Sequence, residues 1–214
     1  MNNFDDISIP VYIISAKNSI GLPNINEQFQ GKTEFQLNFI EANPNDFGLA
    51  LQSCAQSGLD NDDDVIIICN DLHVFTENYE RTFFIQHIFE AHKQKCDVLS
   101  GGLGRFNQAV PITKNLYWVD RFWYCNFIVV FRKCFIKILN KPYEDKRTIA
   151  DSFSRLTTHK MVLYPFISSQ LSLMSSFSEN SNIKMFQKII DFFCAASVQL
   201  SIYEKAYKEY GDNL

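Results

Sequence analysis

Apolar residues fall along this chain in two patterns: short dense runs, and longer stretches where they recur every three or four positions. PVYIIS (10–15) and VIIIC (65–69) show no polar–apolar alternation and are rich in β-branched residues, which predicts strands covered on both faces. FQLNFIE (35–41) alternates weakly and predicts another strand. Between these, 16–33 is polar and punctuated by Gly21, Pro23 and Gly31, which leaves room for a short helix over 24–29 at most. Residues 46–57 suit a helix with Asp46 as N-cap and Gly58 as its stop. Thr76 is placed to cap a helix running to about Lys93, with Glu77 and Glu80 in the first turn, where the dipole favours negative charge.

The second half continues the alternation. A strand over 96–100 precedes the turn GGLG (101–104), and a long apolar strand over 123–131 leads into a short helix at 133–140. A helix over 148–159, a strand over 161–164 and a long helix over 182–210 follow. That last helix carries Ile183, Phe186, Ile189, Ile190, Phe193 and Ala196 on one side, joined to the rest by a Ser-rich segment, 168–181. Strands alternating with helices predict an α/β fold with a mixed, mainly parallel sheet flanked by helices. The expected division is a domain over 1–178 and a helical appendage over 179–214, which docks on its own domain, forms a homodimer contact, or lies on a membrane surface.

Composition narrows the function classes. At 46% hydrophobic and 21% charged, 214 residues suffice for one well-filled core. A net charge of -4 without a long basic run leaves no footprint for nucleic acid. The six cysteines are widely spaced, with no C-x-x-C pair, and read as buried reduced thiols. The first residues, MNNFDD, lack the charged and apolar regions of a signal peptide, and no apolar run approaches ~18 residues. A cytoplasmic protein is the expectation, with peripheral membrane association left open.

The candidate chemistry begins where the most hydrophobic run ends. In open α/β sheets, ligands collect at the carboxyl ends of strands, so Asn70, Asp71 and His73, directly after VIIIC, point into the natural crevice. A carboxylate and an imidazole two residues apart can converge on one divalent cation, Mn2+ or Mg2+, which would neutralise a diphosphate leaving group.

Here the chain resembles the family 25 glycosyltransferases of lipopolysaccharide biosynthesis, GT-A-like enzymes, and within them a Bacteroidetes branch. The resemblance spans 9–170 through IPVYIIS, GLALQS after ANPNDF, DDDVIIICNDLHVF, FIVVFRKCFIKIL, ADSFSRL and LYPFISSQ, in that order. It implies a GT-A-like nucleotide-diphospho-sugar transferase fold. It also implies transfer of a sugar from a nucleotide-sugar donor to a glycan or glycoconjugate acceptor, as in bacterial polysaccharide biosynthesis. The departures are specific: Lys17 and Asn18 stand where the family has arginines, Gln52 and Ser53 where it has Ser and His, and Asn70-Asp71-Leu72 where it has E-D-D. With Asp71 and His73 as the metal pair, metal binding would be weak and dependent on the donor's own phosphates. The alternative is a catalytically inactive relative acting as a ligand-binding or partner protein.

The resemblance places an acidic residue facing the acceptor at Asp151, which could serve as general base or simply complement the helix dipole. Asp120 is the rival base. The run YWVDRFWY (117–124) sets two tryptophans and two tyrosines, Tyr117, Trp118, Trp123 and Tyr124, around Asp120 and Arg121, rings on which a sugar could stack and a cation for a phosphate, against the plainer role of core packing. GGLGR could cradle a phosphate but does not match a dinucleotide or P-loop signature, so a plain turn is the expectation. His87 and His92, at i and i+5, are off metal spacing and read as surface or interface residues, and Asp62–Asp64 as a solvated turn at the opposite sheet edge.

Overall fold

The run VIIIC lies inside an eight-stranded sheet, and the chain around it supplies both covering layers. The computed structural model describes residues 4, 6–17, 19, 21–42, 46–141, 148–170 and 180–210, without the side chains of 180–186 and 210. Asn18, residues 43–45 of ANPNDF and 171–179 of the Ser-rich segment lie outside the described residues. The elements in chain order are β1 (Ile9–Ser15), α1 (Leu22–Phe29), β2 (Phe35–Glu41), α2 (Phe47–Asp60), β3 (Val65–Asn70), β4 (His73–Phe75), α3 (Arg81–Lys93), β5 (Val98–Ser100), β6 (Arg105–Phe106), β7 (Ala109–Pro111), β8 (Leu116–Val119), β9 (Phe122–Trp123), β10 (Phe127–Phe131), α4 (Arg132–Leu139), α5 (Ile149–Leu156), β11 (Lys160–Leu163), β12 (Ser168–Gln170) and α6 (Asn180–Tyr210).

The strand order is β2-β1-β3-β10-β5-β11-β8-β7. β1 lies parallel to β2 and β3, and β11 parallel to β5, whereas β10 is antiparallel to both of its neighbours and β8 to both of its own. β8 and β10 thus run against the rest, and the expected mixed, mainly parallel sheet flanked by helices is the observed one. Because β10 is reversed, its first residues meet the carboxyl ends of β3 and β5. Two small sheets, β4 with β12 and β6 with β9, are added at this edge.

The lack of alternation in β1 and β3 has its cause in the layers. Val11, Ile13, Ile67 and Cys69 face a cluster with α1 and α3, including Phe29, Phe84 and Phe127. Tyr12, Ile14, Ile66 and Ile68 face the other cluster, with α2, α4 and α5, including Leu51, Phe135 and Phe153. Each fully buried apolar side chain contributes roughly 1.5–3 kcal/mol, so strand residues facing either layer have reason to be apolar.

Several boundaries differ from the sequence expectation. α1 starts at Leu22, with Pro23 in the first turn, where its missing N–H costs nothing. α2 runs through Gly58 to Asp60. Gly58 is no stop: a Cβ there would lie 2.8 Å from Phe135 Cε2 and 3.1 Å from Ile66 Cγ2, so its absence lets α2 approach α4 and β3. Thr76 does not cap α3. Its hydroxyl donates to the Phe166 carbonyl (2.6 Å), and the Glu80 carboxylate caps instead, accepting from the N–H groups of Thr82 (2.8 Å) and Phe83 (2.6 Å). The apolar run 123–131 is divided at Tyr124, which adopts φ 57°, and the segment 105–119 contributes β6, β7 and β8, unseen in the sequence.

α6 docks through its inner part. Phe193 is fully buried, with ring centroids 4.8 Å from Tyr117, 5.2 Å from Phe166 and 5.3 Å from Tyr164, while Val198, Ile202, Tyr203 and Tyr207 are exposed. Among the described residues, no helix is long and apolar enough to cross a membrane.

Candidate functional site

Asn70 closes β3, beside the start of the reversed β10, and the two strand ends are tied through their side chains. The Asn70 amide donates to Asn126 Oδ1 (2.8 Å), Asn70 Oδ1 accepts from the Leu72 N–H (3.0 Å), and the Asn70 N–H donates to the Asn126 carbonyl (3.1 Å). Since Leu72 can only donate, Asn70 must turn its oxygen there and its nitrogen to Asn126, which fixes the orientation of both amides. Asn126 is buried, and its amide nitrogen has no partner among the described residues. Such an orphan donor is uncommon in a folded interior and carries a desolvation cost of about 1–3 kcal/mol.

These asparagines border a cleft of about 290 Å³ that also takes in Trp123, Tyr124 and Cys125 from the β9–β10 connection, Gln170 from β12, and the first turn of α5 with Asp151. Thr148 caps α5: its oxygen accepts from the Asp151 N–H (3.2 Å), and its hydroxyl lies 3.3 Å from Asp151 Oδ2 as a donor. The cap fixes the carboxylate at the positive end of the helix, with the rest of Asp151 half-buried in the cleft wall. At the far end of α5, Lys160, 4% exposed, donates to the carbonyls of Ser154 and Thr157, each at 2.8 Å. Burial pulls its pKa below that of an ordinary lysine, against the opposing pull of Asp120. The short helix is therefore held at both ends. Trp123 receives the Arg105 guanidinium over its ring at 5.3 Å.

Of the residues expected from the sequence, Asn70, Trp123 and Asp151 meet in this cleft, and the others do not line it. Asp120 lies past β8 and accepts from Asn107 Nδ2 (3.1 Å), so of the two rival bases Asp151 alone reaches the cleft. Arg121 is exposed on the β8–β9 turn, and Trp118 donates its indole N–H to the Thr158 carbonyl (2.7 Å) from the middle of β8. Lys17 is exposed in the turn after β1, at the same sheet edge as Asn70. The sequence singled out none of Asn126, Thr148 and Gln170, and offered Tyr124 only as one ring of YWVDRFWY. A small polar residue ahead of ADSFSRL was the visible signal for Thr148, whereas the others needed the reversed β10 and the β4–β12 pair.

The expected Asp71–His73 metal pair requires correction. His73 is fully buried on β4, its ring centroid 4.4 Å from Phe75 and 4.9 Å from Phe127, and its Nδ1 is 2.9 Å from Ser168 Oγ. Burial first, and Lys32 second, push its pKa down to about 3, and Nε2 has no partner among the described residues. An imidazole walled in by aromatic rings does not fit a shared, open cation site. Asp71 is 8% exposed and close to the entry of α1: a Cβ on Gly21 would come 2.4 Å from the Asp71 carbonyl oxygen. Among the described residues, no group of three or more His, Cys, Asp or Glu side chains is arranged to hold a metal ion.

The remaining motifs fall to structural roles. The N–H groups of Gly101, Gly102 and Gly104 are spent on the Phe127 carbonyl, Ser100 Oγ and the Trp123 carbonyl, and a Cβ on Gly102 would sit 2.1 Å from the Ser168 carbonyl oxygen. GGLG is therefore a packed turn rather than a phosphate cradle. Gln52, one of the departures from the family pattern, donates to the Leu139 carbonyl (3.1 Å) at the end of α4. His87 is buried, contrary to expectation, its Nδ1 2.6 Å from the Phe83 carbonyl. Five cysteines are buried and Cys194 is exposed, all as free thiols. Asp62, in the turn before β3, pairs with Arg132 at 2.7 Å and is exposed, as expected of a solvated turn.

No family model matches the chain, and no curated protein matches it. Among solved structures it is similar to A197 from STIV, at 16% identity and a TM-score of 0.47, covering 73% of this chain and 82% of that one. It is similar also to apo UDP-glucose pyrophosphorylase, at 10% identity and a TM-score of 0.46, covering 86% and 81%. HddC from Yersinia pseudotuberculosis is a further match, at 11% identity and a TM-score of 0.47, covering 84% and 78%.

Proposed function

We propose that the cleft between β3, β10 and α5 is the acceptor side of a GT-A-like glycosyltransferase site, in which a sugar passes from a nucleotide-sugar to a glycan or glycoconjugate hydroxyl. The observation that carries this reading is the meeting of Asp151, Trp123 and Asn70 in one cleft at the carboxyl ends of the strands. In the proposed displacement the acceptor oxygen bonds to the anomeric carbon as the bond from that carbon to the diphosphate breaks. The hydroxyl proton passes to Asp151, and the nucleoside diphosphate departs with the bonding electrons. Thr148 holds the carboxylate in place, and Lys17, exposed at the same sheet edge, is the candidate counter-charge for the diphosphate.

No step is routed through a metal, because His73 does not fit one. The proposed setting is cytoplasmic assembly of bacterial surface polysaccharide, and the exposed outer turns of α6 are the candidate surface for a second copy or a membrane. The test is calorimetry with UDP-, GDP- and CMP-linked sugars, with and without manganese, followed by transfer assays on Asp151→Asn. Binding with loss of transfer in Asp151→Asn is the expected result. Binding without transfer by the parent protein favours the ligand-binding alternative, and absence of binding to any of these sugars overturns the reading.

A further inference from the structure

The lining of the cleft is of two kinds. One is polar: the α5 first turn with Asp151, and the Asn70–Asn126 pair with its unpartnered amide nitrogen. The other is formed by Trp123 and Tyr124. Its described lining carries a single charge, that of the Asp151 carboxylate, and no lysine, arginine or histidine. A diphosphate needs cationic or clustered N–H partners, and a carboxylate on the wall opposes it. The volume, about 290 Å³, is just under the roughly 300–1,000 Å³ of ligand pockets, which suits one ring rather than a whole nucleotide-sugar.

Tyr124 gives the aromatic lining its second ring at a conformational cost. It stands at φ 57°, a left-handed backbone that bulky side chains rarely adopt, and is 56% exposed at the cleft. Among the described residues, no other ring stacks on it. Glycine would take this backbone without strain, so the backbone conformation gives no reason for a tyrosine here. Neighbouring Trp123 and Cys125 are directed by the β6–β9 pairing and by the contact of the Cys125 thiol with Ser100 Oγ (2.9 Å), which leaves the Tyr124 ring at the rim.

Resting on the transfer reading, we infer that Tyr124 is a specificity-determining residue and that this cleft is a subsite for an uncharged, hydroxyl-bearing sugar ring. The ring's apolar face stacks on Tyr124 and Trp123. Its hydroxyl edge donates to the Asp151 carboxylate. The diphosphate of the donor lies outside this cleft.

The test uses a Trp118→Phe background, in which Trp123 becomes the only tryptophan of the two in the chain and reports on the cleft by fluorescence. Saturable change is expected with at least one of a panel of methyl pyranosides of gluco, galacto, manno and N-acetylated types, and none with inorganic pyrophosphate. Tyr124→Gly is expected to weaken that glycoside at least tenfold with a melting temperature unchanged or raised, and Tyr124→Phe to bind as the parent does. Response to pyrophosphate alone, no response to any glycoside, or parental affinity in Tyr124→Gly overturns the inference. Glycoside binding without turnover of any nucleotide-sugar supports this subsite while removing the transfer reading. Turnover with a silent Trp123 does the reverse.

Discussion

Replacing His73 by Phe separates a core histidine from a ligand histidine. The ring is fully buried between Phe75 and Phe127, and burial, aided by Lys32, lowers its pKa from 6.5 to about 3. Between those values the unfolded chain binds a proton that the folded protein refuses, so the stability of the parent falls as pH drops below 6.5. At about 1.4 kcal/mol per pH unit, the descent from pH 6.5 to about pH 4 removes on the order of 3 kcal/mol. A phenylalanine in the same place has no proton to refuse. At neutral pH the variant loses the contact between Nδ1 and Ser168 Oγ (2.9 Å) but also removes the unpartnered Nε2, and these effects of about 1–2 kcal/mol oppose each other. Denaturant unfolding of both proteins from pH 4 to pH 8 gives the difference directly. The curves should run parallel above pH 7, and below pH 6 the parent should fall relative to the variant, by on the order of 3 kcal/mol at pH 4. Parallel curves across the whole range would falsify the burial argument, and a manganese-induced rise in melting temperature present in the parent and absent in His73→Phe would restore the ligand role.

Other substitutions test the supports of the site. Gly58→Ala gains about 1 kcal/mol of helix propensity but drives a Cβ to 2.8 Å from the Phe135 ring, so thermal melting should show a net loss of about 1–2 kcal/mol. Thr148→Ala removes the α5 cap; a loss of about 1 kcal/mol is expected, with a fall in kcat larger than any change in donor KM if Asp151 is the base. Asp97 is buried, which raises its pKa, yet Lys137 (2.6 Å), Thr157 and Lys133 (3.1 Å) together hold it below 3.8. Its contribution is therefore present above that pH and lost as pH falls through the folded value. Asp97→Asn should cost about 2 kcal/mol at pH 7, discounted because both lysines are half-exposed, and that difference should shrink as urea titrations are taken progressively below pH 3.8.

The sequence by itself determined the layered α/β fold. Runs such as PVYIIS and VIIIC are apolar on both faces because helices cover both, and that requirement is local enough to be read from one stretch. It also located the crevice, since Asn70 had to emerge at a strand's carboxyl end, and it marked Asp151 and Trp123, which the cleft brings together. Only the tertiary structure decided which neighbours share that edge. The reversal of β10 brings Asn126 and Tyr124 to Asn70, and the pairing of β4 with β12 turns His73 away from Asp71 into an aromatic core. Strand direction and pairing arise from contacts between residues far apart in the chain, such as Phe127 with Cys69 and Gln170 with His73, and spacing along one segment carries no record of them. For the same reason Gly58 read as a helix stop until the ring of Phe135 stood beside it: a glycine's role is set by what comes near it, and nearness is a property of the fold.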